Sequence, residues 1–106
     1  MLDTTPLLTA VERLADRLRS TPESRLRRGA AADGLALARE LALRAQRLEF
    51  PGRAPRVLPD AGLFSVADQL AVAGRDLALA VGTAPPAELD EAVRLVEAAE
   101  RGLRRT

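Results

Sequence analysis

The chain has 106 residues, 47% of them apolar, and 21 Ala, 19 Leu and 7 Val supply nearly all of that fraction. It contains no Cys, His, Lys, Trp, Tyr, Ile or Asn, and its 16 basic residues, all Arg, nearly balance 15 acids for a net charge of +1. Those absences exclude thiolate nucleophiles, disulfides, imidazole bases, ordinary zinc sites, lysine Schiff bases and Walker-type phosphate loops, so neither a cofactor nor a metal is expected and the chain reads as a non-enzyme.

Thr5-Pro6 opens the first predicted helix, residues 6–19, with Thr5 as N-cap and Pro6 at the first helical position, where a missing N–H costs nothing. Leu7, Val11, Leu14 and Leu18 recur at helical spacing, and Glu12 and Asp16 are placed to pair with Arg residues one turn on. Thr21-Pro22-Glu23 repeats the same start signal at once. The second helix is therefore predicted over 22–48, joined to the first by a turn so short that the two should be antiparallel neighbours. Its stripe is Leu26, Ala30, Leu37, Leu41, Ala45 and Leu48. Gly29 and Gly34 interrupt it, and each either breaks the helix or marks a close approach by another one.

From 50 to 62 the helical signal fails, because Pro51, Pro55 and Pro59 stop every turn. Extended at roughly 3.1 Å per residue, this stretch can run the length of a bundle and restart the chain at the other end. The third helix, 63–81, carries Leu63, Val66, Leu70, Leu77 and Val81 on one stripe. Its segment Leu77–Val81 has no polar side, and a helix apolar all round is expected to be covered all round, which makes this the central element. The fourth helix, 87–104, has Glu88, Asp90 and Glu91 in its first turn, Arg101 and Arg104 in its last, and Leu89, Val93, Val96 and Leu103 on its core stripe. The expected architecture is an all-α domain over 1–106: a four-helix bundle of two antiparallel helical hairpins joined by a Pro-rich extended connection.

Three groups of residues compete for a functional role. Arg17, Arg19, Arg25, Arg27 and Arg28 cluster at the first turn, where Arg25, Arg27 and Arg28 are candidate contacts to an anion or nucleic acid. The second helix, however, offers mostly Ala and Leu between its Arg residues instead of the polar side chains that read base edges, and Arg for Lys is also what GC-rich coding produces. Asp33, Asp68 and Asp76 could form a carboxylate site, but they are expected as helix-face ion pairs, one of them partly buried and fixing register. Val72, Leu79 and Leu95, together with Leu35 and Leu43, lie off the main stripes and are the candidate partner-binding surface, with Val72, Leu79 and Leu95 carrying it.

The longest uncharged run, Leu77–Ala87, contains Gly82, Pro85 and Pro86 and falls short of the roughly 20 apolar residues a membrane span needs. No secretory signal pattern stands at the start. The expected function is that of a small non-enzymatic cytoplasmic helical protein, an interaction or regulatory module that binds itself or another protein through apolar helix faces. The alternative is a small nucleic-acid-associated regulator using the Arg-rich turn.

Overall fold

The computed structural model describes residues 1–105 and leaves Thr106 outside the described chain. Its elements are α1 (Thr5–Arg19), α2 (Glu23–Arg25) running into a π turn at Leu26–Ala30, α3 (Ala31–Glu49), a 3-10 turn at Leu63–Ser65, α4 (Val66–Val81) and α5 (Pro86–Arg105). Among the described residues there is no strand, and the long helices pack on one another as an all-α bundle.

The start of α1 differs from the sequence expectation by one capping residue. The Thr5 backbone N–H donates to Asp3 Oδ1 at 3.0 Å, so Asp3, not Thr5, supplies the capping oxygen, and Thr5 is already helical. The hydrogen bonds from the Thr5 side chain and backbone hold the Asp3 carboxyl below its ordinary range. A carboxylate also suits a helix N-terminus better than a hydroxyl does.

The predicted second helix is broken, and its two glycines divide the expected roles between them. Gly29 has φ 151° and ψ −19°, a conformation that residues with a Cβ avoid, and the chain there changes from the single turn of α2 to the long α3. Gly34 stays helical because of what lies against it: a Cβ there would sit 2.8 Å from Val66 Cγ1 and 3.2 Å from Leu18 Cδ1.

The break redirects α3 so that α1 and α3 are not the close neighbours the short turn implied. The heaviest contact is α3 on α4, followed by α1 on α4 and α1 on α5. Gly34 beside Val66 at one end, and Ala45 near Asp76 further along, show that α3 and α4 run parallel. Val11 sits against Gly74 and Leu18 beside Val66, so α1 opposes them. Arg13 meets Glu100 and Arg44 meets Glu91, which sets α5 alongside α1 and against α3. Helix α4 is central, as expected, and Leu70, Leu77 and Val81 are fully buried together with Leu7, Val11, Leu41 and Val96. At Gly74 the helices come so close that a Cβ would lie 2.5 Å from Val11 Cγ1.

A parallel α3–α4 pair requires the chain to return between them, and residues 50–62 do this as an extended strap. With three prolines the strap builds little backbone hydrogen bonding of its own, and helix side chains reach out to it instead. Arg39 Nε donates to the Leu58 carbonyl at 2.8 Å, and Gln69 Nε2 donates to the Pro59 carbonyl at 2.9 Å. Gln46 clamps Arg56 from both sides, donating to its carbonyl at 2.9 Å and accepting from its N–H at 2.7 Å. Among the described residues no helix is long and apolar enough to cross a membrane.

Candidate interaction surface

The inner face of α4 is buried, whereas its outer face is not. Val72 is 54% exposed, Leu79 79% and Phe64, in the turn just before the helix, 73%. The expectation that Leu77–Val81 is covered all round therefore fails at Leu79. Leu77, Ala78 and Val81 turn inward, but α1 and α3 occupy only the flanks of α4 and the strap passes to one side. The three other long helices enclose only part of the central one, and its outer side stays open.

On the strap side the exposed face continues into a groove lined by Ala42, Leu58, Ser65, Gln69, Val72 and Ala73, with the carboxylates of Asp68 and Asp76 at its edge. Beyond it stand Val57, 73% exposed, and Phe50, over whose ring the Arg53 guanidinium lies 5.0 Å from the centroid. On the α1 side the rim is charged: Arg19 bridges Asp16 at 3.0 Å and Asp68 at 2.9 Å, which raises the Arg19 pKa through its hydrogen bond to Asp68. Arg75 and Asp76 are exposed between Val72 and Leu79.

Of the three partner-binding candidates, the structure brings Val72 and Leu79 onto one face and places Leu95 elsewhere. Leu95 is half-buried on α5 and packs against the core, and Leu35 is buried outright. Sequence reasoning passed over Phe64 and Val57 as contributors to the exposed face. The signal for Phe64 was its position one helical turn before Asp68 and two before Val72.

The Arg-rich turn is largely committed to the fold. An Arg25 terminal nitrogen donates to the Leu103 carbonyl at 2.9 Å, satisfying one of the carbonyls that the end of α5 leaves open. Arg27 Nε pairs with Glu23 at 3.2 Å, while Arg28 lies exposed. Arg17, Arg25 and Arg104 line a cleft with Ser20 and Thr21, but both hydroxyls there donate to the Arg17 carbonyl, at 3.1 and 2.6 Å. The C-termini of α1 and α5 meet at this end, and arginines there answer two negative dipole ends at once.

The carboxylates fall differently from expectation. Asp33, Asp68 and Asp76 are all exposed, and the buried acid is Glu100, at 5% exposure. Burial pushes its carboxyl up, but the hydrogen bond from Arg13 Nε at 2.7 Å and the charges of Arg13, of Arg104, a terminal nitrogen of which also lies at 2.7 Å, and of Arg17 hold it below the usual carboxylate range. Glu100 continues the stripe of Ala92 and Val96 at four-residue spacing, and that placement was its signal in the sequence. Asp33 stands at the rim of a small apolar cleft of about 150 Å³ among Leu14, Leu18, Ala30, Gly34 and Leu103. Among the described residues no three His, Cys, Asp or Glu side chains converge as a metal site would require. No family model matches the chain, and the comparisons with curated proteins and with solved structures found no match.

Proposed function

We propose that this protein is a non-enzymatic, cytoplasmic interaction module that docks a protein chain through the outer face of α4 and the strap beside it. The observation that carries the reading is the exposure of Val72 and Leu79, two turns apart on a helix that is otherwise the most deeply buried in the bundle. Covering each of these side chains contributes at most roughly 1.5–3 kcal/mol toward association, and Phe64 and the neighbouring groove add to it. The Arg19, Asp68, Arg75 and Asp76 rim supplies orientation rather than affinity. The Arg-rich turn supports nucleic-acid binding less well, because Arg25 and Arg27 already hold Leu103 and Glu23.

Affinity capture from the native lysate, with and without nuclease, tests the reading when the wild type is compared with the double variant Val72→Glu, Leu79→Glu. Both positions are exposed, so the variant should keep its helical circular dichroism and melting temperature while losing the captured protein. Capture unchanged by the two glutamates would sink the α4 reading. Capture abolished by nuclease, with salt-sensitive binding to duplex DNA, would transfer the function to Arg28 and its neighbours.

A further inference from the structure

The residues along the open face of α4 are complementary to themselves. At 100° per residue, Asp68, Val72, Arg75 and Leu79 fall on one side of α4, and Phe64 stands exposed in the 3-10 turn just ahead of them, with Val72 near the middle of the stretch along the chain. When a second α4 is laid antiparallel across this face, residues the same distance on either side of the centre meet. Centred between Ala71 and Val72, that operation sets Phe64 against Leu79 of the second copy and Asp68 against its Arg75, and each contact occurs twice. The apolar pair and the charged pair share this one centre, and Val72 lies beside the axis, set against Ala71 of the second copy and one residue from the second Val72.

The flanks agree with the same arrangement. A two-fold axis in the contact plane keeps like flanks together; Asp68 bonds Arg19 of α1, and Arg75, two turns on, has nearly the same helical angle, so the opposite charges meet on that flank instead of being divided between two edges. On the other flank Asp76 comes opposite Ser65 of the second copy, whose hydroxyl is a hydrogen-bond donor, and no acid faces an acid.

We infer that the occupant of the α4 face is a second copy of this chain, bound antiparallel across a two-fold axis beside Val72. The inference rests on the reading of α4 as a docking face and names its partner. One helix pair with a short strap margin lies at the small end of specific interfaces, so the dimer is a weak, reversible one.

Sedimentation velocity of the full chain, from low micromolar to near-millimolar concentration, is the deciding experiment. The wild type should pass from monomer to dimer. Arg75→Asp should weaken the dimer about tenfold or more, and so should Asp68→Arg, while the double exchange Asp68→Arg with Arg75→Asp should return it to near wild-type affinity. Asp68 also holds Arg19, so Arg75→Asp is the cleaner of the two single variants. Because the chain has no cysteine, Val72→Cys gives a second readout: mild oxidation should produce a disulfide-linked dimer, whereas Glu97→Cys, exposed on α5, should not.

A wild type that stays monomeric throughout, or a dimer indifferent to both single exchanges, overturns the second-copy assignment. If the monomer still captures a protein that the Val72→Glu, Leu79→Glu variant loses, only the identity of the occupant falls. If capture is equally unchanged, the docking reading falls with it.

Discussion

The Arg-rich end of the bundle and the outer face of α4 divide its chemistry in a way their compositions invert. The first is crowded with charge, yet many of its groups answer one another: Arg13 and Arg104 on Glu100, Arg25 on the Leu103 carbonyl, Arg27 on Glu23. The second is an ordinary-looking stretch of Val, Ala and Leu, and it leaves large apolar side chains facing water. Charge density alone is a poor guide to binding, because charges within reach of each other are spent internally. An apolar side chain on the open side of a central helix has no such internal outlet.

The contrast is sharpest at Glu100. Replacing both Arg13 and Arg104 with Ala strands a carboxylate at 5% exposure, and the expected cost is about 2–3 kcal/mol, below the full penalty for a buried charge because both arginines are half exposed and water can take part of their place. Urea denaturation at neutral pH measures it. The pH dependence gives a second check on the same group. The Glu100 pKa is depressed in the folded state, so its contribution is fully present above the unfolded carboxylate value of about 4.3 and is lost as pH falls through the folded value. Glu100→Gln should therefore flatten the acid side of the stability profile, and a profile as steep as the wild type would remove Glu100 from this role.

A second, smaller effect separates the two faces of α4. Gly74→Ala forces a methyl to within 2.5 Å of Val11 Cγ1, and overpacking there should cost about 1–3 kcal/mol less the roughly 1 kcal/mol that alanine returns in helix propensity. Thermal melts of the purified variant decide the sign, and an increase in melting temperature would mean that α1 can slide away from α4. The smallest effect is expected on the outer face. Val72→Ala and Leu79→Ala should each change monomer stability by about 0.5 kcal/mol or less, since neither side chain is enclosed. A loss of several kcal/mol in dilute solution would show that this face is covered within the monomer.

Much of the bundle was readable because its boundaries are written in local chemistry. Thr-Pro starts, Gly and Pro stops, and the Pro51, Pro55 and Pro59 spacing each act through a few adjacent residues. What was not readable depends on residues far away in the chain. Gly29 and Gly34 are five residues apart and indistinguishable by type. One carries a positive φ and the other lies under Val66, and only the folded chain assigns the roles. Likewise Leu79 and Leu95 both sit off their stripes, but α5 turns Leu95 toward the core whereas nothing lies over Leu79. Glu100 was hidden by its residue type, since an acid among Arg neighbours near a helix end ordinarily signals a solvated surface.

The strap has a consequence for how the molecule comes together. By returning the chain so that α4 lies between α1 and α3, it makes the core common property of two segments, neither of which can enclose its own apolar face. The segment through Glu49 and the segment from Leu63 onward are thus halves of one fold joined by a removable thread. Proteolytic nicking within Gly52–Pro55, away from the Gln46, Arg39 and Gln69 tethers, should leave a two-fragment protein that reassembles with concentration-dependent stability. Folding should proceed as a single cooperative step in which the two halves appear together.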